Sequence, residues 1–315
     1  MRTVGPARYR SIVTVAWALL ATIVVTGALV RLTDAGLGCD NWPICSQEHP
    51  VPQWELHGWI EFGNRLFTGA VAVAVALAVL TAYRRRPFRR DLLAPAWAMV
   101  AGVAAQVIVG AVVVFAHLHP ATVGLHFLIS MALLWAGAVA WVRAGSGGPP
   151  TEPAVQPQVI TTSRVALGLA VLVMVLGTAV TGTGPNSGDA RADRLPFELT
   201  DVTRIHSVAV WLLLAAVVAL AVQLQRHGPE SSAATARLLV AAVVVQGGIG
   251  YLQFTLSVPP ALVMLHLIGS MVVWDLLLVL HLRLWHRPPM EPEPNPGPDP
   301  LSTGTAPTEP AGVGS

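Results

Sequence analysis

Three histidines, His126, His206 and His266, fall inside long apolar stretches of the chain. An ionisable side chain within such a stretch is costly and reads as functional by default. The bland reading is a histidine hydrogen-bonded to a neighbouring helix, but three at similar depth favour a shared task. Imidazole nitrogen ligates heme iron, and bundle cores commonly house such groups between facing helices. His206 and His266 would form one bis-His pair in the second half of the chain. The corresponding positions in the first half are Asn64 and His126. Asparagine is not a usual heme ligand, so one iron would be saturated and the other would keep an open or weakly held face, as oxygen chemistry requires. Zinc is the weaker reading, since no cysteine or clustered histidine shares this depth. The other seven histidines lie near the ends of apolar stretches or between them.

A second group reads Trp59-Ile60-Glu61-Phe62-Gly63-Asn64-Arg65. Glu61 and Asn64 are three apart and share a helix face, and Glu61 and Arg65 are spaced to pair. The pair either anchors a helix end at the membrane surface or sets Glu61 beside a macrocycle. There it would handle protons or stabilise developing positive charge, while Arg65 would hold a propionate. The chain's two cysteines, Cys39 and Cys45, flank five residues. They read as a structural disulfide or as a redox-active thiol pair.

The elements that must carry these residues follow from composition. Of 315 residues, 54% are apolar and 11% charged, and the mean hydropathy is +0.61. Soluble domains carry about 25% charge, so a soluble domain and a disordered chain are both excluded. A net charge of +2 without a basic stripe argues against nucleic-acid binding. Two cysteines exclude a disulfide-dense scaffold. Eight stretches approach the roughly 20 apolar residues a membrane helix needs: 12–30, 59–82, 92–116, 121–142, 164–182, 203–225, 236–254 and 260–282. The first is read as a span and not as a cleavable signal peptide. Of the 19 arginines, 14 fall on the side of the N-terminus. By the positive-inside rule both termini are cytoplasmic, and segments 31–58, 117–120, 183–202 and 255–259 face outward.

The chain also repeats itself. Gln106, Gly110, Pro120, His126 and Ser130 each recur 140 residues later as Gln246, Gly250, Pro260, His266 and Ser270. The fold expected is therefore all-α and integral to the membrane, with eight helices as two parallel, repeat-related four-helix bundles. Residues 1–143 form the first half and 164–285 the second. The Gly/Pro-rich stretch 144–163 reads as a cytoplasmic linker, and 286–315 as a disordered tail.

The run Gly27-Ala28-Leu29-Val30-Arg31-Leu32-Thr33, followed by Gly36-Leu37-Gly38-Cys39 and Trp42-Pro43-Ile44-Cys45, resembles the first outer loop of the bacterial heme A synthase family. Glu61 with Arg65, and one histidine in each of spans four, six and eight, fit the same family over roughly 12–282. The resemblance implies a plasma-membrane oxidoreductase that converts the C8 methyl of heme O to a formyl group by two hydroxylations. It implies heme b held by His206 and His266 in the second half and substrate heme held by His126 in the first, with Asn64 and Arg65 beside it. Glu61 is then the essential acid, and Cys39 and Cys45 are the loop cysteines. Candidate partners are heme O synthase, cytochrome oxidase assembly factors and a second copy of the chain. The chain departs from many members in having Asn64 where they carry histidine; His57 is a weak substitute. It also lacks a second cysteine pair present in some members. Outside this family, the histidines would suit an electron-transfer cytochrome, against which Asn64 and Glu61 count, and the parallel repeat a small-molecule transporter.

Overall fold

The computed structural model describes residues 3–290, and its described residues are all-helical, without strands. The helices are α1 (Pro6–Leu32), α2 (Leu56–Arg84), α3 (Leu93–Phe115), α4 (Pro120–Ala144), α5 (Pro157–Thr183), α6 (Leu199–His227), α7 (Glu230–Thr255) and α8 (Pro260–Leu282). A single 3₁₀ turn, Arg90–Leu92, leads into α3. All eight helices are long and apolar enough to cross a membrane, in which the backbone must satisfy its own hydrogen bonds.

Proline opens α1, α4, α5 and α8 at the first turn, where its fixed φ suits the helix and its missing N–H costs nothing. This moves one boundary. α5 begins at Pro157, so seven residues of the expected linker are helical. Polar residues hid this turn from a hydropathy reading. The hydroxyls of Thr161, Thr162 and Ser163 donate back to the carbonyls of Pro157, Gln158 and Ile160 at 3.1, 2.9 and 2.8 Å, which lets polar side chains sit in the helix. The remaining linker is tied to the segment after α8. Gly147 N–H donates to Pro288 at 2.9 Å, Ala154 to Leu284 at 2.8 Å, and His286 to Glu152 at 2.8 Å. Residues 291–315, which hold most of the expected disordered tail, lie outside the described residues.

Within the first four helices, α1 packs on α2 and α4, and α3 packs on the same two. The second four pack in the same cyclic order, α5 on α6, α6 on α7, α7 on α8 and α8 on α5. α4 meets α5 and α8, and α1 meets α8, across the middle. The turns after α3 and α7 share one geometry. Leu118 N–H donates to Val113 at 2.9 Å and Val258 N–H to Gln253 at 2.7 Å. His117, Leu118, Ser257 and Val258 all adopt left-handed φ, between 48° and 61°. A β-branched residue such as Val258 is an outlier there.

The fully buried side chains gather at the end of the bundle where α1 begins. They include Tyr9, Val13 and Ala16 on α1, Ala78 and Ala82 on α2, Met99 on α3, Leu220 and Leu224 on α6, and Leu277 and Leu280 on α8. At this basal end Arg89 also grips the Asp91 carboxylate with two bonds, at 2.8 and 2.7 Å. The opposite end, which carries residues 33–55, 116–119, 184–198 and 256–259, is loosely filled. A solid core at one end and open space at the other is what positions the site.

Candidate functional site

Two cavities occupy the loop end, one in each set of four helices. The first, about 260 Å³, is lined by Glu61, Asn64, Arg65, Gln106 and His126 among others. The second, about 1080 Å³, is lined by His206, Gln246 and His266 among others. Ligand cavities generally run about 300–1,000 Å³, so the second has room for a large apolar molecule and the first sits just below that range. Arg31, Leu118, Val123, Phe127, Ser187 and Leu267 line both. Phe127 and Leu267 each follow a cavity histidine, 140 residues apart, and stand where the two cavities adjoin.

The recurring residues have physical reasons to be together. Gln106 on α3 donates its amide to the His126 carbonyl at 2.9 Å and to Ser130 Oγ at 2.5 Å. Gln246 on α7 donates likewise to the His266 carbonyl. Each glutamine thus pins the histidine's helical turn to the preceding helix. The glycines leave space for the rings. A Cβ at Gly110 would stand 3.5 Å from Cε1 of His126, one at Gly177 3.4 Å from that of His206, and one at Gly250 3.1 Å from that of His266. The fourth glycine, Gly27, faces Asn64, whose Oδ1 accepts the Thr26 hydroxyl at 2.7 Å. In each histidine Nδ1 is buried without a hydrogen-bond partner. Nε2 is neither bonded nor sealed off, which leaves it as the nitrogen open to the cavity. The carbonyls of Val173 and Gln246 lie near the His206 and His266 rings. His206 and His266 are close enough for the charge of one to act on the other.

Glu61 is buried at the mouth of the smaller cavity. Its Oε2 accepts the Cys39 N–H at 2.8 Å, and its Oε1 accepts from Arg65. Arg65 also donates to the Asn41 carbonyl at 2.7 Å and the Ile44 carbonyl at 3.3 Å, and its guanidinium lies 5.0 Å over the Trp42 ring. Cys39 and Cys45 are joined in a disulfide. The 39–45 loop is therefore clamped to α2 through Glu61 and Arg65, and most of Arg65's donors are spent on that clamp. A Cβ at Gly38 would come within 2.5 Å of the His57 carbonyl, so only glycine permits the loop to lie against the start of α2. His57 itself is exposed and lines neither cavity; it does not stand beside Asn64.

The α5–α6 loop covers the seam between the cavities. Gly188 accepts the Gly36 N–H at 2.9 Å, and Asn186 accepts from Arg31 Nε at 2.5 Å. Asp189 receives two side-chain bonds and the backbone N–H of Arg191, which hold its carboxyl below the usual carboxylate range. Sequence reasoning left Arg31 without a role beyond the loop motif. The signal was a guanidinium at the end of a membrane helix, which is rare and usually partnered. It also missed Asp275 on α8, half-buried, with its Oδ1 enclosed and unpartnered and outside the lining of both cavities.

The family model COX15-CtaA, described as cytochrome oxidase assembly protein, matches residues 10–185. A protein named heme A synthase from Geobacillus thermodenitrificans is 36% identical over 101 residues, which is 31% of this chain and 30% of the relative. One from Geobacillus kaustophilus is 37% identical over the same length and shares. One from Bacillus cereus is 34% identical over 114 residues, 35% of each chain. These matches span about a third of the relatives' length. The family match covers more than half of the chain, which therefore belongs to the COX15-CtaA family.

Proposed function

We propose that this protein is a heme A synthase, which oxidises the C8 methyl of heme O to a formyl group in two hydroxylations and releases heme A for terminal oxidases. The observation that carries the reading is that His206 and His266 line one cavity with their Nε2 atoms open to it, each ring set against a glycine. The orphaned Nδ1 atoms, the glycine cradles and the volume of about 1080 Å³ suit a flat iron macrocycle. The cofactor is heme b, held by His206 and His266; when bound it supplies an iron centre that passes single electrons. The relatives named heme A synthase support the same activity.

The chain's own residues then divide the work. His126 holds the substrate heme in the first half, opposite Asn64. Asn64 would offer its amide to the substrate heme from the other wall of that cavity, where many family members carry a histidine. Glu61 takes up or returns a proton at the cavity mouth, or its charge stabilises positive charge on the substrate. Arg65 and the Cys39–Cys45 disulfide keep Glu61 in place. The first four helices, and the second four beginning with α5 at Pro157, are the two repeat-related halves, with the connecting segment and both termini on the cytoplasmic face of the plasma membrane. Heme O is too apolar to travel through water, so a membrane enzyme that makes it is the natural donor, with oxidase assembly factors as recipients.

Product analysis tests the reading. With a heme O source, the wild-type chain yields hydroxylated and formylated heme, and the His206→Ala variant does not. If heme is bound but no altered porphyrin appears, the protein is an electron-transfer cytochrome. If no heme binds, the site reading fails.

A further inference from the structure

Arg31 ends α1, and among the described residues it is the one charged side chain lining both cavities. Its Nε donates to the Asn186 carbonyl at 2.5 Å, and its two terminal nitrogens have no protein partner. Those nitrogens are not sealed in the interior either, so they face open cavity surface. The other arginines at this end are engaged. Arg65 is held by Glu61, Arg191 by Asp189 and Arg204 by Asp201. Arg194 donates to the Pro185 carbonyl at 2.7 Å.

The surrounding chain is built to hold Arg31 this way. Asn186, whose carbonyl fixes Nε, donates its own amide to the Val258 carbonyl at 3.0 Å. Gly188 has a φ of +101°, and a Cβ there would stand 3.3 Å from Arg31 Cγ. Glycine at 188 thus lets the loop lie along the stem of the side chain and leaves the fork of terminal nitrogens open. A planar guanidinium fork matches a carboxylate.

We infer that Arg31 is a carboxylate-binding site shared by the two cavities, taking a propionate from the macrocycle in each. This rests on the heme reading above. It places the acidic edges of both macrocycles at the loop end and gives Arg31 the role that Arg65, occupied with Glu61, is poorly placed to fill.

The test compares iron protoporphyrin IX with its dimethyl ester, titrated into the full chain in lipid nanodiscs and followed by the Soret band. A charge-assisted carboxylate bond predicts that wild type binds the free acid at least about tenfold more tightly than the ester. Arg31→Gln abolishes that preference, and Arg31→Lys keeps part of it as a point charge. Equal binding of acid and ester to wild type overturns the inference. So does an unchanged preference in a folded Arg31→Gln chain. Should Arg31→Gln fail to fold, the wild-type comparison and Arg31→Lys still decide: a reduced preference with Lys supports the site, and an undiminished preference with Lys, or none in wild type, refutes it. If neither porphyrin binds wild type, the heme reading itself falls, which is a different result from binding without discrimination.

Discussion

Gly250→Ala separates the role of the glycine cradle from helix stability, because the two effects have opposite signs. In a helix interior, alanine in place of glycine gains about 0.5–1 kcal/mol. The new Cβ would stand 3.1 Å from His266 Cε1, well inside the roughly 3.5–4.0 Å of an ordinary carbon contact. The ring must turn by a few tenths of an ångström at its edge. An off-rotamer angle of that kind costs about 0.5–1.5 kcal/mol, or roughly a two- to tenfold loss of heme affinity. The same substitution at Gly177, where the separation is 3.4 Å, has a smaller effect, and at Gly110, at 3.5 Å, almost none. Gly168 on α5 has nothing within 4 Å and lines neither cavity, so Gly168→Ala shows the helix gain alone. Heme titration gives the affinities, and thermal unfolding of the heme-free chain gives the stabilities. The reasoning is refuted if Gly250→Ala binds heme as wild type does, or if Gly168→Ala loses as much.

Three further outcomes follow from the smaller cavity and its clamp. Glu61→Gln keeps an acceptor for the Cys39 N–H but removes the charge facing Arg65; product formation falls by about 10²–10⁴ while heme content stays at the wild-type level, and unchanged turnover would remove Glu61 from the mechanism. Asn64→His places a second imidazole opposite His126, and the absorption spectrum then gains a second low-spin heme; an unaltered spectrum would mean that the two residues do not face one ligand. Replacing Cys39 and Cys45 with Ser releases a seven-residue loop, worth roughly 2 kcal/mol of chain entropy, and frees the Glu61 contact; the melting temperature drops and turnover falls with it, whereas equal melting temperatures would make the disulfide incidental.

What was readable in the sequence is what residue identity alone encodes. Gln106, Gly110 and His126 recur at a constant offset because one helix turn must pin and cradle the next, and each role admits few side chains. The eight helices were readable because a bilayer tolerates no other fill. Helix ends were less so: at 157–163 the hydroxyls satisfy themselves within the helix, and hydropathy cannot register that. The partners of Arg65 were half readable. Its spacing from Glu61 announced the pair, but its bonds to the Asn41 and Ile44 carbonyls depend on how the 39–45 loop closes. Arg31 was not readable as a site at all, since its setting comes from residues 186–188, which only the packing of the two halves brings over α1. His57 shows the converse, a plausible spacing undone by the exposed position of the first turn of α2.

The central claim is that His206 and His266 hold one heme between them. The direct measurement is the low-spin heme signal, by electron paramagnetic resonance, of the purified chain and of each single alanine variant. The account predicts a low-spin bis-imidazole spectrum in wild type that turns high-spin or vanishes in both His206→Ala and His266→Ala, and persists in His126→Ala. A low-spin signal that survives either of the first two substitutions contradicts it.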